Sequence, residues 1–320
     1  MDITVSICCL VYNHEKYLRK TLEGFVRQKV NFAYEIIIHD DASTDGSAAI
    51  IREYCEKYPG LFRPILQTEN QYCKRIGLTK TFIYPLIRGQ FVAMCEGDDY
   101  WCDENKLQLQ VDYMEAHPEC SMCIHDTAFI DMDGNYLGKC FNGFRRDWDY
   151  TAKQAIRAAG SGYLGQTSSF FARKSIMTER PDTFNIRGIG DLPQLLYAAV
   201  NGPIHYIGRV MSCYRIGDID SWSVRNNNSS DRFVQQKERE YEDLTRIDQQ
   251  TDHQYAHAFA VLRGLRLSQL YRKHYGIKAL LKNPSHLFMV LRAHSYTFPK
   301  KILKKFKDFR AAREQFPLWP

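Results

Sequence analysis

Two pairs of adjacent carboxylates stand at the ends of short apolar runs. Asp40-Asp41 follows Glu35-Ile-Ile-Ile-His39, and Asp98-Asp99 follows the run from Gln90 to Cys95. Consecutive residues leaving a strand point in opposite directions, so each pair can divide two tasks. Carboxylates of this kind suit a hard divalent cation, Mg²⁺ or Mn²⁺, which takes one or two protein oxygens and completes its shell from phosphates and water. One Asp-Asp pair alone is more often a solvated cap. Two pairs, each closing an apolar strand of the same sheet, point to a site. Asp191, behind Arg187-Gly-Ile-Gly, opens a helical pattern, where it serves either as an N-cap or as a general base.

The elements that position these residues alternate between two periods. Thr4 to Val11, Glu35 to His39, Phe62 to Gln67 and Gln90 to Cys95 read as buried strands. Leu18, Leu22, Phe25 and Val26, behind Asn13 as N-cap, recur at helical spacing, as do Ile50, Ile51, Tyr54, Cys55 and Tyr58. A further helix is expected over 79–88, kinked by Pro85, and another around Leu107, Val111 and Met114. Alternating strands and helices predict an α/β fold, a mostly parallel sheet covered on both faces. Ligands then bind at the carboxyl ends of the strands, where Tyr12-Asn13, Asp40-Asp41 and Asp98-Asp99 fall. Short strands near 120–125, 166–172 and 204–214 and helices near 151–159 and 191–200 follow. Asn226-Asn227-Asn228 marks a linker before a charged helical region.

Composition narrows the classes. At 320 residues, with 44% hydrophobic and 25% charged residues, the chain can bury a sizeable core, which excludes a disordered or disulfide-scaffold protein. No apolar run approaches the ~20 residues of a spanning helix and no signal pattern opens the chain, so a cytosolic location is expected. The ten cysteines fit it as reduced thiols, and Cys120-Ser-Met-Cys123 with His125 lacks the second half of a zinc site. The turn from Leu10 to Glu15 has no glycine and GxxxxGK[ST] is absent, which disfavours dinucleotide and P-loop sites. Residues 270–320 hold twelve Lys/Arg against two acids, more than the whole net charge of +6. The body is therefore mildly acidic, and no nucleic-acid partner is expected.

Three stretches, VSICCLVYNHEKYLRKTLEGFVRQ, YEIIIHDDASTDGSAAII and GQFVAMCEGDDYW, resemble in order and spacing the inverting family 2 glycosyltransferases of GT-A fold. The resemblance is strong over about 3–115 and thinner to about 216. It implies a GT-A-like, Rossmann-type domain over 1–225, with a nucleotide-sugar half at 1–118 and an acceptor half at 119–225. A helical basic extension would occupy 226–320. Leu10 and Tyr12 would flank the base, and Asp41 would accept from its imide N–H, favouring a UDP-sugar. Asp98 would contact ribose or metal, Asp99 would ligate Mn²⁺ or Mg²⁺, and Asp40 would orient the loop. Lys74, Arg75 and Lys80 are candidates for a basic donor contact. Asp191 would be the base, with Asp182 and Asp218 as weaker rivals. His125-Asp126 is read as a strand-end pair that either touches the acceptor or is merely polar, and Trp101 as packing its loop, with a sugar contact as the alternative. Tyr214-Arg215, with Asp218 and Trp222, resembles the loop that closes over the diphosphate, but lacks a histidine found in some relatives.

The implied reaction is metal-dependent inverting transfer to a glycan or lipid-linked acceptor in surface-polysaccharide synthesis. The rival readings are a sugar nucleotidyltransferase, which would need a Gly-rich basic N-terminal loop, and a non-catalytic carbohydrate-binding or partner-binding module. Residues 299–313 place Ile302, Phe306 and Phe309 at helical spacing beside seven Lys/Arg. They are read either as a peripheral anchor on anionic membrane or as a segment docked on the body.

Overall fold

A computed structural model describes residues 2–74, 76–161, 164–217 and 230–295. Arg75, Asp218, Trp222, the 226–228 linker and the 299–313 tail lie outside the described residues. Among the described residues ten strands form one sheet: β1 (Ile3–Val11), β2 (Ala33–Asp40), β3 (Phe62–Leu66), β4 (Phe91–Met94), β5 (Tyr100–Trp101), β6 (Met122–Ile130), β7 (Tyr136–Cys140), β8 (Trp148–Tyr150), β9 (Phe171–Arg173) and β10 (Ile204–Arg215). Their order is β3-β2-β1-β4-β9-β6-β10-β5, with β7 beside β6 and β8 beside β10. The first four are parallel, as the alternation of strands and helices requires. In the second half only β6 and β10 pair in parallel. β9 inserts antiparallel between β4 and β6, so the sheet is mixed there.

Alternation along β1 assigns its two faces. Val5, Ile7, Cys9 and Val11 pack with Leu18, Leu22 and Phe25 of α1 (Glu15–Val26), with Ile51 and Tyr54 of α2 (Ser47–Lys57), and with Leu107 and Val111 of α3 (Lys106–Ala116). Cys8 faces the other layer, built from Ile156 and Ala159 of α4 (Ala152–Ser161), Ile176 of α5 (Lys174–Thr178), and Leu195 and Leu196 of α6 (Asp191–Asn201). The same cluster takes Leu244 and Ile247 of α7 (Ser230–Gln250) and Phe259 and Leu262 of α8 (Ala256–Leu270). The helical extension is therefore packed into the core of the second half.

Two local expectations are corrected. Asn13 does not cap α1. Its φ of +56° is left-handed, and its Oδ1 accepts from Thr44 N at 2.8 Å. The first α1 amide instead donates to Asp45 Oδ2 at 2.9 Å, while His14 N donates to Ser47 Oγ. The expected helix at 79–88 is a π-helical turn, Thr79–Ile83, followed by a 3₁₀ turn, Tyr84–Leu86, containing Pro85.

Glu35 is buried in β2, between β1 and the edge strand β3. It accepts from Ser6 Oγ (2.7 Å), Arg88 N (2.9 Å) and Arg88 Nε (2.7 Å), and pairs with Arg63 at 3.2 Å. Burial acts to raise its pKa, but the Arg88 and Ser6 donors outweigh this and hold it below the usual carboxylate value. A depressed folded pKa means stability present above the unfolded value near ~4.3 and lost as pH falls through the folded one. Glu35→Gln should cost about 2–4 kcal/mol at neutral pH. In urea denaturation the gap from the parent should close as pH falls below ~4.

Candidate active site

The loops after β1 and β2 are stitched into one rim. Asn13 N donates to Ser43 Oγ at 2.9 Å, and Gly46 N to Glu15 Oε2 at 3.0 Å. Asp40 takes the Ser43 amide and hydroxyl, so it orients the loop, the role expected of it. Asp41 is also buried, in contrast to a residue open to a base: Oδ1 accepts from Gln71 N at 2.8 Å and Oδ2 from Tyr72 N at 3.0 Å. It holds the following loop and thereby presents Tyr72, which is exposed like Tyr12; Leu10 is half-buried against the core.

The turn after β4 carries the other acids. Gly97 is essential to its path. Its amide donates to Leu10 O at 2.9 Å, and a Cβ there would meet His14 Nδ1 at 2.7 Å. Thr21 Oγ1 donates to the carbonyls of Gly97 (3.0 Å) and Asp99 (2.5 Å), clamping the turn onto α1. Glu96, Asp98 and Asp99 therefore leave a fixed backbone.

Their exposure reverses the expected division of labour. Asp99 is fully buried, and both of its oxygens are engaged: Oδ1 accepts from Arg215 N and Oδ2 from Gln166 Nε2, each at 3.0 Å. Burial pushes its pKa well up, and Asp98 and Glu96 add to that. It is placed as a support inside the protein, where a metal ligand would need an open oxygen. Asp98 and Glu96 are half-buried and accept no side-chain hydrogen bond among the described residues. Glu96 was not singled out from the sequence, since the Asp-Asp pair beside it drew the assignment. Its pKa is pushed up to about 8 by burial, then by Asp98, then by Asp191.

That last influence locates Asp191. It is the first residue of α6, exposed, with Oδ1 accepting from Leu192 N at 2.7 Å. Its charge is felt at Glu96, which puts Asp191 on the same side of the molecule as the turn after β4. Asp182, its rival, is committed to Lys80 at 2.7 Å, and Lys74 pairs with Glu69 at 2.5 Å. Arg215 gives its guanidinium to the carbonyls of Asp98, Asp131 and Met132, bracing the turn from behind. His125 lies within β6, fully buried, and so is no strand-end residue. Burial pushes its pKa far down, and the adjacent Asp126 is occupied by the amides of Thr127, Asn142 and Gly143. Trp101 packs edge-on against Phe25 and donates Nε1 to Ser168 O at 2.9 Å.

Gln166 links these supports. Its Oε1 accepts from Ser168 N at 2.6 Å and from Ser168 Oγ, whose hydroxyl reaches Ser212 Oγ at 2.9 Å. Sequence periodicity had no means of finding it, because its partner is distant in the chain. Gln166→Ala should leave a buried Asp99 oxygen without its donor, at a cost of about 1–3 kcal/mol. Thermal unfolding would show this as a lowered midpoint, and an unchanged midpoint would remove Gln166 from the support of Asp99.

The model for glycosyl transferase family 2 matches residues 6–178. The chain belongs to this family. Over 132 residues it is 46% identical to an uncharacterised protein of Mycobacterium tuberculosis, covering 41% of this chain and 37% of the relative. It is 31% identical over 137 residues to the UDP-Glc:alpha-D-GlcNAc-diphosphoundecaprenol beta-1,3-glucosyltransferase WfaP of Escherichia coli, covering 43% and 48%. The matched stretches thus span less than half of these curated relatives. Among solved structures, S. aureus TarS 1-349 in complex with UDP-GlcNAc aligns with a TM-score of 0.63 at 15% identity, covering 91% of this chain and 79% of that one. The mannosyltransferase PcManGT from Pyrobaculum calidifontis, in complex with GDP-Man and Mn²⁺, aligns at 0.54 and 14% identity, covering 98% and 86%. At these identities the structures establish the GT-A fold.

Proposed function

We propose that the chain is a metal-dependent inverting glycosyltransferase using a nucleotide-diphosphate sugar, with UDP as the nucleotide. The family 2 match over residues 6–178 carries this reading, supported by the half-buried acids Glu96 and Asp98 on the fixed turn after β4 and by Asp191, whose charge acts on Glu96. Among the described residues no group of three His, Cys, Asp or Glu stands close enough to form an all-protein metal cage. The donor set instead fits a hard cation sharing two carboxylates, Asp98 and Glu96, with a diphosphate. Their mutual repulsion is what such a cation relieves. When bound, it supplies Lewis-acid stabilisation of the leaving diphosphate.

The protein's own groups do the rest. Leu10 and Tyr12 bracket the base. Asp41 acts behind the base, its two oxygens holding the Gln71 and Tyr72 amides and so setting the loop that presents Tyr72. Asp191 takes the acceptor hydroxyl's proton as that oxygen attacks C1 opposite the leaving group, and one displacement inverts the anomeric centre. The names of the E. coli relative and of the UDP-GlcNAc complex support a UDP donor. The diphosphoundecaprenol-linked acceptor in the E. coli relative's name supports a lipid-linked glycan acceptor, and a Bacillus subtilis relative named for teichuronic acid biosynthesis supports a role in surface-polysaccharide synthesis. The intact acids oppose a silent binding module, and the glycine-free first turn opposes a nucleotidyltransferase. A thermal-shift screen over nucleotide sugars with Mn²⁺, followed by turnover with and without chelator, tests the reading. Absence of any nucleotide-dependent shift and of turnover would overturn it.

A further inference from the structure

The helices beyond Tyr271 carry large apolar side chains on a face that the core does not use. α9 (Gly276–Leu281) buries Leu280 and rests Ala279 on Leu267, Tyr271 and Val290. The helical stretch 284–295 is held entirely by its inner side. Val290 and Ala293 are buried, Ser268 Oγ meets His294 Nε2 at 2.7 Å, and Tyr271 OH meets His286 Nδ1 at 2.8 Å. Gly264 permits this approach, since a Cβ there would lie 2.5 Å from Met289 O. The inner contacts are complete, so folding supplies no reason for an apolar outer face.

That outer face nevertheless exposes Ile277 (74%), Leu281 (61%), Phe288 (63%) and Leu291 (60%). Ile277 and Leu281 are four residues apart, Phe288 and Leu291 three, so each pair shares one side of its helix. Arg272 and Lys273, on the π-helical turn before α9, and Lys278, Lys282 and Arg292, on or beside the two helices, are exposed. No acidic residue occurs between Asp252 and Asp308.

We propose that this surface docks on an anionic lipid bilayer, with the four apolar side chains entering the headgroup boundary and the five cations meeting the lipid phosphates. An apolar stripe on elements that themselves carry five cations and no acid is the pattern of a helix lying in the interface, with Glu238 of α7 held at its border by Tyr275 OH. A second copy of the chain would bring the same cations against themselves. Single-stranded nucleic acid would call for a run of aromatic stacking platforms, whereas three of these four side chains are aliphatic. Among the described residues no helix is long and apolar enough to cross a membrane, so contact would be superficial. The inference uses residues 272–292 and stands apart from the transfer reaction.

Flotation of the full chain with vesicles of about one part phosphatidylglycerol to two parts phosphatidylcholine tests it. The chain should float at low salt, be released at about 0.5 M salt, and not float with phosphatidylcholine alone. Ile277→Ser, Leu281→Ser, Phe288→Ser and Leu291→Ser combined, with the tail intact, should weaken partitioning at least about tenfold at an unchanged thermal midpoint. Phe288→Trp should shift its emission to the blue on anionic vesicles, which keeps the test open if the combined variant misfolds. Flotation of the combined variant equal to the parent's, or no flotation of the parent, would overturn the proposal. So would a Phe288→Trp emission that stays unmoved. A dimer that Phe288→Ser dissociates, or RNA binding lost in that variant without any lipid binding, would assign the face to another partner.

Discussion

Asparagine in place of Asp191 is expected to lower kcat by about 10²–10⁴-fold, the range for a lost general base, with the donor KM nearly unchanged. The substitution is mild structurally. Asp191 is exposed and makes one described hydrogen bond, to Leu192 N, which the asparagine Oδ1 can keep. Loss of activity would then report chemistry, since α6 keeps its first turn. Nucleotide binding with Mn²⁺ should survive, because Asp191 affects the Glu96 side of the cleft only through its charge. Removing that charge should also let Glu96 ionise at lower pH, so metal-dependent nucleotide binding in the variant should extend to lower pH than in the parent. Normal turnover would leave Asp191 as a helix start and place the base elsewhere. NMR of the anomeric proton of the product tests inversion separately.

The features legible in the sequence are those encoded locally. Apolar runs ending in Asp-Asp gave the strand ends, and helical spacing gave α1, α2, α3 and α6 to within a few residues. The segment Ser43 to Ser47 bonds the neighbouring loop at Asn13 to Glu15, a use that no local pattern announces. What could not be read depends on contacts between distant residues. β9 pairs antiparallel with both β4 and β6, yet contributes three residues and no periodicity of its own. The burial of His125 follows from the length of β6, which runs to Ile130 where alternation was expected to stop near 125. The helical extension looked separable by charge, but its apolar stripe completes the layer above α4 and α6. At the site, the Asp-Asp pair left its two tasks undivided, and the family resemblance implied Asp99 as the ligand. Only the placement of Gln166 and of the Arg215 amide, each more than sixty residues away, shows that Asp99 faces inward.

This inward placement separates two substitutions that would otherwise look alike. Asp98→Asn is expected to lower transfer by about 10²–10³-fold, because an amide cannot balance a divalent cation against a diphosphate. Its thermal midpoint without ligand should stay at the parent's value or rise slightly, since the side chain has no described hydrogen bond to lose and Glu96 is relieved of a neighbouring charge. Calorimetry should show UDP binding that no longer responds to Mn²⁺. Asp99→Asn should also lose transfer, but by another route. Its two oxygens face two donors, Gln166 Nε2 and Arg215 N, so an asparagine must turn its own NH₂ toward one of them. A buried donor left without an acceptor costs about 1–3 kcal/mol, and the thermal midpoint should fall accordingly. Rotation of Gln166 to offer its oxygen would relieve that clash only by breaking its bonds to Ser168. The pair of measurements is therefore diagnostic. Lost Mn²⁺ response at full stability in Asp98→Asn, with reduced stability in Asp99→Asn, assigns the cation to Asp98. The opposite pattern would return it to Asp99 and require the Gln166 and Arg215 contacts to open when the donor binds.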